Sequence, residues 1–176
     1  MLARVPRLRQ IWPVYAVVVL MIYSWTLLWF FWKLSGWLIY LRLDEILTIF
    51  AYSSAVNFIE SLIVLLGLVA VSVSLPSKWF YDHFVTRGTI LVLVGLGYLM
   101  YVASRMQTID GFPESLILRF TIPVILLAVL VILAADRFAV LRSVFEGIAN
   151  RATIFLYIFL PISLVSLLVV IFRNLV

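Results

Sequence analysis

Five stretches of the sequence run for roughly 20 residues each with almost nothing but apolar side chains, and they constrain the fold more than any motif does. A run of about 20 apolar residues matches the ~30 Å hydrocarbon core of a bilayer when coiled as an α-helix. In lipid there is no water to pair with backbone N–H and C=O groups, so such a run must close its hydrogen bonds internally. The runs fall at about 12–34, 46–75, 89–106, 120–135 and 152–172. The expected fold is all-α: a polytopic integral membrane bundle of five transmembrane helices forming a single transmembrane domain over 1–176. No linker, repeat or low-complexity tract divides it.

Composition narrows the function classes. Of 176 residues, 66% are hydrophobic and 12% charged, far from the balance of a soluble domain. There is no cysteine and only one histidine, His83. Disulfides, thiolate chemistry, a four-ligand zinc site and a bis-His haem are therefore unavailable within one chain. No metal site and no cofactor is expected, although a single axial ligation of a pigment or haem by His83 stays open. The net charge of +5 is spread among span ends, which reads as topology and not as nucleic-acid binding.

Lysine and arginine orient the spans. With the N-terminus inside, the inner segments hold Arg4, Arg7, Arg9, Lys78, Arg87, Arg137, Arg142 and Arg151. The outer segments hold Lys33, Arg42, Arg105, Arg119 and Arg173. The excess has the sign of the positive-inside rule, so the N-terminus is expected in the cytoplasm and the C-terminus outside. The basic opening MLARVPRLRQ leads into a long run rich in Trp and Tyr without a convincing cleavage site, so a retained first span is expected. Absent cysteine and an arginine-rich start suit a bacterial inner (plasma) membrane.

Local chemistry sets the boundaries. Ser35-Gly36 either ends the first helix or lies within a longer, tilted one. Asp44 and Glu45 suit the positive end of the second helix. In PSKWFYDHFVTRG, Trp79, Tyr81 and His83 are interfacial anchors, aromatic bodies with a polar edge at headgroup depth. Asp82 beside His83 does not make an acid–base pair, because adjacent residues point apart and no nucleophile accompanies them. Phe138, Leu141, Phe145 and Ile148 lie on one face of 136–150, with Arg142, Glu146 and Asn150 on another. That is an amphipathic interfacial helix that turns the chain, either separate from the fifth span or continuous with it. Gly88 and Gly95 suggest close packing, Pro123 a first helical turn, Pro161 a kink, and Asp110, Gly111 and Pro113 an outer turn.

The strongest functional candidate is a polar stripe on the second span. Ser53, Glu60, Gly67 and Ser74 recur every seven residues, with Asn57 beside them and Ser61 at the margin. Small and hydroxyl side chains let helices approach and bond across the contact, so this face is expected inside the bundle. An ionisable residue within a span is by default a functional-site hypothesis. Its plain counterpart is interhelical glue, which is favoured because a carrier would show several such residues on different spans, and the cores of spans 4 and 5 hold no carboxylate, Lys, Arg or His. Glu60 can be neutral and bonded to Asn57 or Ser61, paired with Arg105, or met by a partner chain. Arg105 is the candidate charge partner within the chain, but an offset of about 10 Å favours its snorkelling to the outer headgroups.

No paired carboxylates, Ser-His arrangement or glycine-rich phosphate loop is present, so catalysis is not expected. The expected role is a non-catalytic accessory or structural subunit of a larger membrane complex. Its partners would be the lipid bilayer and other membrane protein chains, with no nucleic acid. The alternative is a small oligomeric transporter or channel with Glu60 in a proton or cation path. In layout, five spans with an outward C-terminus resemble the membrane domains that precede extracytoplasmic lipid-headgroup transferases and sulfatase-like enzymes. That resemblance rests on span count and orientation; no motif carries it and no residue role is taken from it.

Overall fold

The computed structural model describes residues 7–74, 83–106 and 114–175. They form five helices: α1 (Leu8–Tyr40), α2 (Leu43–Ser74), α3 (Phe84–Met106), α4 (Glu114–Arg137) and α5 (Ala139–Leu175). All five are long and apolar enough to cross a membrane. The protein is an all-α helical bundle of the membrane-spanning type. Trp79 and Tyr81, and the turn residues Asp110, Gly111 and Pro113, lie outside the described residues.

The helices begin and end where local chemistry directs. Glu45 accepts a bond from the Arg42 backbone N–H at 2.8 Å, which places a carboxylate against the orphan donors starting α2. His83 stands just before α3 and its carbonyl accepts from the Arg87 N–H at 3.0 Å. Ser35-Gly36 does not end α1, which continues for 33 residues in all. Nothing presses on Gly36, and the apolar run on both sides sustains the helix. Pro123 lies well inside α4, not in its first turn, and Pro161 lies inside α5. The 136–150 segment is divided differently from a separate interfacial helix: Asp136 and Arg137 close α4, the chain turns at Phe138, and α5 runs unbroken for 37 residues. At 1.5 Å per residue α5 measures about 55 Å, well over the ~30 Å hydrocarbon core, so it leans or emerges.

Alpha1 is the centre of the bundle, packed against α2, α3 and α5. Its half from Pro13 to Tyr23 is almost wholly buried, with Val14, Ala16, Val17 and Val18 at 0% exposure. Phe84, Val92, Ala149, Ala152 and Leu156 close around it. Gly88 of α3 meets Val14 so closely that an added Cβ would lie 3.1 Å from its Cγ1. Alpha4 is peripheral, packing chiefly on α3 and α5, and presents Ile122, Ile125, Leu126, Leu130 and Leu133 outward.

The end of the bundle holding the start of α1 is called proximal here, the other end distal. Charged side chains collect at both. From Glu146 to Arg173 along α5 is about 40 Å. That is the thickness of a bilayer with its polar layers, so both sets lie at headgroup depth.

Candidate functional site

Three polar regions stand out: a hydroxyl-rich layer inside the bundle, a charged cluster at the proximal end, and an open groove holding Glu60.

The inner layer ties α1 to α2 and α5. Tyr15 Oη lies 3.3 Å from Ser61 Oγ. Tyr23 Oη donates to the Ser54 carbonyl at 3.0 Å and also bonds Ser163 Oγ of α5. The Tyr23 ring stacks on Phe159, centroids 4.5 Å apart. Thr26 Oγ1 donates to Asn57 Oδ1 at 2.9 Å. The buried polar face of α2 is therefore Ser54, Asn57 and Ser61, each 5% exposed or less. Two of these, Asn57 and Ser61, belong to the stripe read from sequence.

Glu60 does not share their surroundings. It is exposed, as are Gly67 and Ser74, while Ser53 is half-buried. The reason is helical geometry. Each residue advances about 100°, so Glu60 stands about 60° from Asn57 on one side while Ser61 stands about 40° away on the other. The contact with α1 and α5 is centred on the Ser61 side, which turns Glu60 past the edge of the bundle. Its carboxylate opens into a groove of about 430 Å³ between α1, α2 and α3, lined by Ile22, Trp25, Thr26, Ile63, Leu96 and Leu99 among others. Thr48 bonds Arg173 at the distal rim. From Thr48 to Glu60 is about 18 Å along α2, which sets Glu60 close to mid-depth.

Arg105 does not line that groove. It is exposed near the distal end of α3, with its guanidinium 5.5 Å from the centre of the Tyr101 ring. The Tyr101 ring lies about one turn earlier on the same helix, so this is a cation–π contact within α3 at the surface of the bundle.

The proximal cluster joins α3, α4 and α5. Arg87 reaches Asp136 through two nitrogens, at 3.3 and 2.6 Å. Arg87 is 7% exposed and the Asp136 side chain 29%, so this is a partly buried, forked ion pair. Thr86 Oγ1 donates to Glu146 Oε1 at 3.0 Å, and Arg142 donates to the Asp136 carbonyl at 3.2 Å, closing the corner between α4 and α5. His83 stands half-buried at the start of α3 beside this cluster in sequence. Among the described residues, no three His, Asp or Glu side chains come together as a metal site would require.

Sequence reasoning missed Tyr15, Tyr23 and Thr26 on α1, and the Arg87–Asp136 pair. The α1 residues could have been found: offsets of eight and three place all three within about 80° on one helix face. The ion pair had no signal, because 49 residues separate its partners. Comparison with protein-family models, with curated proteins and with solved structures finds no match to this chain.

Proposed function

We propose that this chain is a non-catalytic subunit of a membrane complex, and that the Glu60 groove receives a span of a different polypeptide. One observation carries the proposal: a carboxylate at mid-depth opens outward into an apolar groove, and none of the hydrogen bonds of the hydroxyl layer described above uses it. A charged or unpaired carboxyl facing hydrocarbon is costly. Every lysine and arginine of this sequence lies toward a span end. A second copy of the chain therefore has no cation to offer at that depth, whichever way it inserts. The fitting partner carries a Lys, Arg or hydroxyl donor midway along an apolar helix. The groove supplies apolar walls for such a helix, and Thr26 and Asn57 adjoin Glu60.

The localisation favoured for this subunit is a bacterial inner membrane, N-terminus inside. The test is gentle detergent extraction and native mass spectrometry of wild type, Glu60→Gln and Glu60→Ala. A second polypeptide should accompany wild type, weaken with Glu60→Gln and be lost with Glu60→Ala. A chain that runs alone or only with itself, unaffected by either substitution, overturns the proposal.

The second reading is a small oligomeric carrier or channel using Glu60. What favours it is the Thr26–Asn57 pair beside the carboxyl. What weighs against it is the apolar remainder of the groove wall, which offers no relay beyond Glu60. Proton or cation flux in liposomes that falls with Glu60→Gln would support the carrier over the subunit.

A further inference from the structure

The outward face of α5 carries polar groups that nothing in the bundle meets. Asn150, Ile154, Tyr157, Pro161, Leu164 and Leu168 are all exposed, and they follow one another at alternating steps of four and three. That 3.5-residue rhythm is the seam along which two helices supercoil, and membrane helices commonly cross with the same geometry. Gly147 extends the seam toward the proximal end, and a Cβ added there would meet nothing. Lipid suits the apolar members of this seam but not the polar ones. Tyr157 is 73% exposed. It lies about 16 Å along α5 from Glu146 and about 24 Å from Arg173, so its phenol stands in hydrocarbon, with Asn150 about 6 Å from Glu146 at the edge of it. No hydrogen bond among the described residues uses the Tyr157 hydroxyl or the Asn150 amide; Thr153 donates to the Asn150 backbone carbonyl instead. Charge flanks the seam on both sides, Glu146 just before Gly147 and Arg151 just after Asn150. Glu146 is half-buried and accepts from Thr86 through Oε1, and Arg151 is exposed and in no ion pair among the described residues.

We propose that this face of α5 pairs with the same face of a second copy of the chain, the two helices running parallel. Three features select a copy of itself. All copies insert in one orientation, so equal faces meet about a two-fold axis along the membrane normal, and residues near that axis lie opposite their own twins. A phenol and a carboxamide can each donate and accept, so Tyr157 and Asn150 can each bond the same residue of the second copy. In a parallel supercoiled pair, the residue just before one seam position meets the residue five further along the other helix, and charges there set partner and orientation. Glu146 and Arg151 stand at that separation, so each copy offers the carboxylate that the other's guanidinium lacks. The Glu60 groove is formed by α1, α2 and α3, so pairing through α5 is independent of the partner proposed there.

The test is disulfide cross-linking of the full chain in native membranes, free of background because the sequence holds no cysteine. Ile154→Cys and Leu168→Cys should each give a product of twice the chain mass. Phe155→Cys, exposed but about 100° round the helix from Ile154, and Ile125→Cys on α4 should not. In the Leu168→Cys chain, Tyr157→Phe should lower the dimer about three-fold, the size of a usual hydrogen bond between membrane helices. Arg151→Glu should lower it several-fold and Arg151→Lys should keep it, while Arg137→Glu, the matched reversal of an exposed proximal charge, should leave it unchanged. Equal loss with Arg137→Glu overturns the pairing of Glu146 with Arg151 and with it the parallel register. Equal cross-linking at Phe155 and Ile125 would mean random collision and overturns the seam, as would no product from Ile154→Cys and Leu168→Cys. A product that joins the chain to a different polypeptide overturns the second copy as the occupant.

Discussion

Arg87 and Asp136 show how much one pair can decide. Arg87 is withdrawn from water where α3 meets α4, Asp136 keeps part of its surface exposed, and the two meet in a forked contact. Hydrogen bonds to a charged group are worth ~1–3 kcal/mol. Arg87→Ala and Asp136→Ala should each destabilise the bundle by about that amount, and the double variant by less than their sum. Reversible denaturation in mixed micelles would show it; additive losses would mean that the pair is not coupled. Tyr23 is a second test. Tyr23→Phe keeps the ring on Phe159 but loses the bonds to Ser54 and Ser163, for ~1 kcal/mol or less, as is usual between membrane helices. Tyr23→Ala empties a 3% exposed site and should cost ~3–5 kcal/mol. At Gly88 the neighbour is the Val14 side chain, itself fully buried. Gly88→Leu overpacks that contact and should cost ~1–3 kcal/mol, whereas Gly67→Leu, with nothing near its Cβ, should cost much less. Equal losses at the two glycines would contradict the packing described.

At the scale of helices, the apolar runs announced the elements but not their ends. The second span needed no correction beyond a few residues, because Asp44 and Glu45 mark its start. Alpha1 ran past Ser35-Gly36 because a helix surrounded by apolar neighbours tolerates a small-residue pair. Pro123 fell mid-helix because α4 begins earlier than its apolar core suggests. The stripe on α2 was legible as polar but not as a direction. Asn57 and Ser61 face α1, Glu60 does not, and a heptad pattern alone cannot say which flank of a stripe meets a neighbour. The bundle is also unequal in a way sequence hides. The most apolar windows of α4 and α1 differ little in hydropathy, 2.2 against 2.0, yet 11% of the α4 window is buried against 44% of α1. Local opening follows buried contacts, not hydropathy. In detergent, backbone amides of α4 should exchange with deuterium well before those of α1. Uniform protection across the two helices would argue against the peripheral place of α4.

At the scale of the molecule, two charged layers about 40 Å apart frame an apolar belt, and their content predicts orientation. The absence of cysteine makes this easy to check, since one introduced thiol reports without background. Ser143 is exposed near the proximal end and Ser35 near the distal end. In intact cells an impermeant maleimide should label Ser35→Cys and leave Ser143→Cys untouched until the membrane is broken. The reverse pattern would invert the proposed topology.

The central place of α1 has a consequence for how the protein is made. Alpha1 leaves the ribosome before the other four helices, yet its Tyr23 bonds Ser163, 140 residues later in the chain. At 5–20 residues per second, that partner is synthesised roughly 7 to 28 seconds after Tyr23 itself. Through that interval the central helix of the finished bundle is without its α5 wall. Its Tyr15 and Thr26 can find Ser61 and Asn57 once α2 inserts, but the last bond and the Phe159 stack wait for the final span. The packing around α1 is therefore completed last by α5, and a chain interrupted before the fifth helix keeps only the α1–α2 half of the polar layer.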